Sequence, residues 1–216
     1  MQFQYIGQVS LAAALSAQRP GLILGFEPAV AVVTLGVRGQ IHKDIVQLPA
    51  GVEVLQLDRG GQATLHNPGQ LVIFPGLDVR PLGGARRWIE ILSQASCGLG
   101  ARLGTELRWD AGSPGLYEAA SGGKVISLGV RLKRGISTHG LAINVHNQLA
   151  DFGWIRPCGQ ATASMALLKT ERPLPEIFSI WVEELKAEVD KSSKLAEFMK
   201  RSITDGSVGA VGSAFP

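Results

Sequence analysis

The chain has 216 residues, enough for one large domain, and 45% hydrophobic against 18% charged residues leaves material for a buried core. A formal net charge of +3 and a pI near 9.0 are too mild to argue for nucleic acid, and fit an acidic protein partner as well. Two cysteines, Cys97 and Cys158, make no disulfide framework, and four dispersed histidines lack ligand spacing to them, so no metal is expected.

The opening MQFQYIGQVS has no basic n-region and no small-residue cleavage site, so it reads without a signal peptide. The most apolar stretch, from Gly21 to Val37, is interrupted by Glu27 and Pro28 and is too short to span a bilayer. A cytoplasmic protein with no membrane role is expected. Gln8 to Gln18, rich in Ala and Leu and stopped by Pro20-Gly21, predicts a first helix. Val30 to Leu35, Val52 to Leu57 and Leu71 to Phe74 predict strands from β-branched content and alternation. Ala85 to Leu103 predicts a helix, with Ala85, Trp88, Ile89, Leu92, Ala95, Leu99 and Leu103 along one face. Val125 to Val130 and Leu141 to Val145 predict strands joined by a short basic turn. A helix follows over Glu176 to Val189, then a shorter one through Leu195 and Phe198. One domain over residues 1–205 and a Gly/Ser/Ala tail over 206–216 are expected. Hairpin-joined strands interleaved with helices favour an α+β or mixed-sheet domain over a doubly wound parallel one.

Four segments carry side chains suited to chemistry. In RGGQATLHNPGQ (Arg59–Gln70), paired glycines can expose backbone N–H groups to a ligand, Arg59 offers a planar fork of donors and His66 a titratable ring. The same segment also reads as an ordinary Gly-Pro turn with Arg59 solvated. It is no dinucleotide fingerprint, and no phosphate loop ending in Gly-Lys-Ser/Thr occurs. In GGKVISLGV (Gly122–Val130), Lys124 stands at the mouth of a β-branched strand, where desolvation would make it a candidate base; a solvated turn lysine is the plainer reading. In THGLAIN (Thr138–Asn144), Gly140 permits close backbone approach, and His139 reads either as functional or as a structural histidine bonded to a nearby carbonyl. In IRPCG (Ile155–Gly159), Pro157 restrains and Gly159 frees the chain around Cys158, which suits either a presented thiol or a small buried hydrophobe. Cys97, inside a helix, reads as buried.

In this order and spacing, RGGQATLHNPGQ, GGKVISLGVRLKRGISTHGLAINV (Gly122–Val145) and RPCG (Arg156–Gly159) resemble the lipoyl(octanoyl) transferase family. The resemblance runs from about Arg59 to Cys158. It implies the fold of the biotin and lipoate protein ligases: one mixed β-sheet flanked by helices. It also implies transfer of an octanoyl group from acyl carrier protein to the lipoyl-domain lysine of lipoate-dependent enzymes, without cofactor, ATP or nucleic acid. The implied acceptors are the lipoyl domains of 2-oxoacid dehydrogenase complexes and the glycine cleavage H protein. Cys158 corresponds to the family's acyl-thioester cysteine and Lys124 to its partner lysine. The implied acyl pocket is lined by Arg59, Gly60, Gly61, Gln62, Ala63, Thr64, Leu65 and His66, by Ser127, Leu128 and Gly129, and by Gly140, Leu141 and Ala142, with His139 as a supporting group. Arg131, Lys133 and Arg134, and the pair Arg86 and Arg87, are candidates for docking acidic partners, or are simply solvated. The sequence departs from the family where a small residue gives way to Asn67, read here as a turn position that tolerates left-handed backbone, and in QATASMALL (Gln160–Leu168). Three rivals remain: an ATP-dependent ligase on the same fold, a thiol hydrolase using Cys158 with His66 or His139, and a non-catalytic acyl-carrier-binding protein.

Overall fold

In the computed structural model, the described residues are 1–156 and 164–204, with side chains described as far as residue 193. The elements run β1 (Gln2–Val9), α1 (Leu11–Ala17), β2 (Leu22–Pro28), β3 (Val32–Leu35), α2 (Ile41–Asp44), β4 (Glu53–Gln56), β5 (Ala63–His66) and β6 (Gln70–Pro75). They continue with α3 (Gly84–Arg102), β7 (Leu107–Asp110), β8 (Gly115–Glu118), β9 (Lys124–Lys133), β10 (Ile136–Asn144), a 3₁₀ turn (Leu149–Trp154) and α4 (Leu174–Thr204).

Seven strands form the main sheet in the order β1-β2-β6-β10-β9-β8-β7. Only β1 and β2 pair in parallel; the other neighbours are antiparallel, so the sheet is mixed, as the hairpin pattern predicts. A smaller sheet, β4-β3-β5, is also mixed.

The two faces of the main sheet have different partners. On one, Ile23, Leu71, Ile73, Ile126, Leu141 and Ile143 pack against α3 and α4. Both tryptophans of this layer find acceptors: Trp88 Nε1 donates to Ser137 Oγ at 2.9 Å and Trp181 Nε1 to Ser96 Oγ at 3.1 Å. Each ring is therefore buried without an orphaned donor. On the other face, Leu24, Phe26, Val72, Phe74 and Ala142 pack with Leu11 and Ala14 of α1, and Leu55 and Leu57 approach from the small sheet.

Several expected boundaries change. The helix expected over Gln8–Gln18 begins only at Leu11, because Ser10 caps it by accepting from the amide of Ala13 at 3.2 Å, and the residues before it form β1. The two helices expected near the C-terminus are one, α4, since neither Gly nor Pro interrupts 189–204. In α3, Trp88, Leu92, Ala95 and Leu99 are buried as the spacing predicts, but Ala85 is exposed and Ile89 only half-buried. Strands β1, β2, β5, β7 and β8 have no counterpart in the sequence reading. The tail from residue 206 lies outside the described residues.

Candidate active site

A narrow cleft of about 60 Å³ lies between the two sheets. Its floor is set by strand register. Ser127 on β9 faces Ala142 on β10, which faces Val72 on β6; Gly129 faces Gly140 two pairs along, on the same face of the sheet. Four small side chains in neighbouring positions leave a slot where larger ones would fill the sheet surface. Gly140 is required for a second reason: a Cβ there would overlap the carbonyl of Ile73 on the adjoining strand. The opposite wall comes from the loop Arg59–Gln62 and from Ala63, Thr64 and His66 of β5. The three segments that the sequence singles out thus converge from distant parts of the chain.

Lys124 stands at one end of the slot, only 3% exposed. Its Nζ lies 3.3 Å from the carbonyl oxygen of Pro114 and 3.4 Å from Ser113 Oγ, and 5.0 Å from the centre of the Tyr117 ring. A buried ammonium needs such acceptors, and the ring face adds a weaker attraction. Gly115 makes the approach possible, because a Cβ there would come within 2.9 Å of Lys124 Cε. The solvated-turn reading of Lys124 is therefore replaced by a buried cation.

The backbone of Lys124 is tied to the chain on the far side of Cys158. Its N–H donates to the carbonyl of Ser164 at 2.8 Å, and its carbonyl accepts from Ala166 at 3.0 Å. On the near side, Arg156 N–H donates to the carbonyl of Asp44 at 2.8 Å. Cys158 itself, with Pro157 and Gly159, lies outside the described residues.

Arg59 is not solvated. It is 7% exposed, and its guanidinium donates to the Thr34 carbonyl (2.7 Å), Thr34 Oγ1 (2.8 and 3.1 Å), the Gln62 carbonyl (2.9 Å) and the Gly60 carbonyl (2.9 Å). The fork that the sequence offers to a ligand here fastens the glycine loop to β3. His66 is buried, and burial, helped by the nearby Arg59 charge, pushes its imidazole down to about 3, so it is neutral at physiological pH. Its Nδ1 has no hydrogen-bond partner among the described residues. His139, expected to bond a carbonyl if structural, instead places Nε2 2.7 Å from Asp58 Oδ1 and adopts a left-handed φ of 54°. That hydrogen bond, with the Arg131 charge nearby, holds the Asp58 carboxyl below its ordinary value.

Of the pocket residues expected from the sequence, Leu65 alone is turned away. Strand alternation sends it into a separate cluster with Val33, Leu35 and Phe152. Asn67 corrects another expectation: its φ is not positive, and it is buried in a polar network. Its Nδ2 donates to the Gln148 carbonyl and to Asp151 Oδ2, both at 2.9 Å, and its Oδ1 accepts from Asn147 Nδ2 at 2.9 Å. Cys97 is half-buried on α3, and burial pushes its thiol up. Among the candidate docking residues, Arg131 pairs with Asp58 at 3.1 Å, and Arg86 and Arg87 pair with Glu90; Lys133 and Arg134 are exposed. Sequence reasoning missed the apolar end of the slot, Leu11, Leu57, Val72 and Phe74, and the acceptors Ser113 and Pro114. Alternation along β6 would have put Val72 and Phe74 on one face.

Among the described residues no His, Cys, Asp and Glu cluster could hold a metal ion, and no helix is long and apolar enough to cross a membrane.

The architecture is that of the protein ligases that attach lipoate and biotin. A lipoate-protein ligase A bound with ATP superposes with a TM-score of 0.68 at 13% identity, covering 92% of this chain and 93% of that one. The biotin protein ligase of Aquifex aeolicus in complex with biotin and ATP superposes with a TM-score of 0.57 at 11% identity, covering 89% and 72%. Residues 8–204 match the family model of the lipoyl protein ligase A/B catalytic domain, and the chain belongs to that family. Among relatives, an octanoyltransferase of Pseudomonas putida (strain GB-1) is 43% identical over 140 residues, which is 64% of this chain and 63% of that protein. An octanoyltransferase of Pseudomonas aeruginosa (strain LESB58) is 38% identical over 177 residues, 82% of this chain and 78% of that protein. The matched region is thus a little under two thirds of the first relative's length.

Proposed function

We propose that this chain is an octanoyltransferase, moving an octanoyl group from acyl carrier protein to a lipoyl-domain lysine through a thioester on Cys158. The observation that carries the reading is the buried ammonium of Lys124 at one end of a slot with small residues on its floor. The relatives named octanoyltransferase supply the reaction class. A straight alkyl chain is what such a slot accepts, and each methylene it buries contributes about 0.8 kcal/mol.

The chemistry is two acyl transfers. The Cys158 thiolate, favoured by the neighbouring Lys124 cation, attacks the donor's thioester carbonyl carbon. The tetrahedral oxyanion is held by backbone N–H groups, and collapse expels the carrier's sulfur, which leaves as a thiol with the proton of Lys124, so that Lys124 becomes the neutral amine. The substrate lysine then attacks octanoyl-Cys158 as a free amine. Its proton leaves through Lys124 acting as base, the carbon–sulfur bond breaks, and an amide remains. Thioester to amide runs downhill, so no ATP is consumed. The acceptors are lipoyl-domain proteins, among them those of the 2-oxoacid dehydrogenase complexes and the glycine cleavage H protein. Exposed Lys133 and Arg134 are candidates for meeting their acidic surfaces, or the carrier's.

The test is intact-mass spectrometry after incubation with octanoyl-acyl carrier protein. A single octanoyl gain that survives Cys97→Ala, is lost in Cys158→Ala and moves to a lipoyl domain without ATP is expected. No adduct on the wild type at short times would rule out the covalent route.

A further inference from the structure

The slot has two ends with different surroundings. At the Lys124 end it adjoins a wider groove of about 360 Å³, reached past Gly60, Gly129 and Pro114 and rimmed by Arg38 and Trp109. At the other end stand Leu11, Leu57, Val72 and Phe74. Behind them lies a separate hollow of about 330 Å³, bordered by Gln18, Arg19, Lys133 and Thr138. Phe74 lines both the slot and this hollow, and no other described residue does.

The Phe74 ring is held in place. It meets Phe26 edge-on at 5.1 Å and His139 edge-on at 6.1 Å, and is 5% exposed. It stands on β6, two strands from β9. Neighbouring strands lie about 4.8 Å apart, which makes the floor from β9 to β6 about 10 Å wide. An extended eight-carbon chain spans about 9 Å at ordinary carbon–carbon bond lengths.

We propose that Phe74 is the chain-length stop of the acyl slot: it closes the end away from Lys124 and separates the slot from the hollow beyond. This rests on the octanoyltransferase reading, with the acyl carbonyl at Lys124 and the methyl end against the Phe74 ring. Shortening Phe74 opens one space into the other and admits longer chains. Because the far hollow is lined partly by polar groups, added methylenes gain less there than in a fully apolar site, where each would be worth about fourfold.

The experiment compares acyl-enzyme formation by intact mass with octanoyl-, decanoyl- and dodecanoyl-acyl carrier protein. It uses wild type, Phe74→Leu, Phe74→Ala and Trp109→Ala, each checked for folding by circular dichroism. The wild type favours octanoyl. Phe74→Leu moves the preference toward decanoyl, and Phe74→Ala raises the dodecanoyl-to-octanoyl ratio at least tenfold; Trp109→Ala leaves the ratio where it was. If Phe74→Ala fails to fold, Phe74→Leu decides alone. An unchanged ratio in a folded Phe74 variant overturns the proposal, as does a shift confined to Trp109→Ala, which would run the chain through the other groove. A wild type that loads no acyl group at all overturns the underlying octanoyltransferase reading instead.

Discussion

Arg59→Ala separates the ligand contact that the sequence offers for this residue from the loop clamp that its hydrogen bonds make. The guanidinium donates five hydrogen bonds to Thr34, Gly60 and Gln62, and Thr34 is fully buried. Truncation leaves Thr34 Oγ1 without its cation and deprives three carbonyls of a donor. The Gln62 carbonyl keeps a second donor, the amide of Gly36 at 3.1 Å, so its loss is partial. Unsatisfied buried acceptors cost about 1–3 kcal/mol each, and release of a desolvated charge offsets part of this. A net loss of about 3 kcal/mol follows, which for a domain of this size lowers Tm by roughly 6–12 °C. Arg59→Lys keeps the charge but not the fork, and falls between. Thermal unfolding by circular dichroism, beside octanoyl loading by intact mass, reads both roles. An Arg59→Ala protein that melts with the wild type and yet fails to load would refute the clamp and return the guanidinium to the ligand.

Three further outcomes follow from the site. His66 resists protonation until about pH 3 when folded, whereas the unfolded residue titrates near 6.5. The unfolded state therefore binds more protons between those values, and stability falls on acidification through that window, by about 3 kcal/mol from pH 7 to 4.5; His66→Gln should flatten the urea midpoint over this range, and equal slopes would contradict the buried neutral imidazole. With its thiol pushed up by burial, Cys97 should be alkylated by iodoacetamide at pH 7 far more slowly than Cys158, as peptide mapping would reveal. Asn67→Ala should cost about 1–3 kcal/mol in urea unfolding, because it strands the Gln148 carbonyl and the Asn147 amide, and a neutral effect would mean that the network is not formed.

What the sequence discloses is the set of elements whose pattern is strong. The helix around Trp88 and Leu92, the strand 71–74 and the hairpin of β9 and β10 are legible because apolar spacing and a tight basic turn, with Arg134 and Gly135 both left-handed, specify them locally. Strand β1 was hidden because it is a half-buried edge strand whose last residues run into a capped helix, so the Ala-rich composition dominates the reading. Strands β7 and β8, four residues each, are too short to show a period. At the site, glycine loops and Lys124 are legible as chemistry, while the apolar end wall is not, since Leu11, Leu57 and Phe74 come from a helix, a loop and a strand that only tertiary packing brings together. Asp58 beside His139 is a tertiary pairing of the same kind, 81 residues apart.

Asn67 links these levels. The family resemblance expects a small residue there, and a larger polar one in a buried turn would be destabilising unless every group were paired. Here both ends of the amide are used, and the chain of bonds continues. Asn147 Nδ2 also reaches Asn144 Oδ1 at 3.3 Å, Gln70 Nε2 donates to the same oxygen at 2.9 Å, and Asn144 Nδ2 donates to the Lys124 carbonyl at 3.3 Å. Through Asp151 the network also holds the 3₁₀ turn that leads toward Cys158. The backbone that carries Lys124 and the segment that approaches Cys158 are thus fixed to one buried polar frame. In such a frame each bond strengthens its neighbours and each vacancy is expensive. The departure at Asn67 is therefore accommodated by partners on the 3₁₀ turn and just before it, and its removal should loosen the tie between the Lys124 backbone and that turn before it disturbs the sheet.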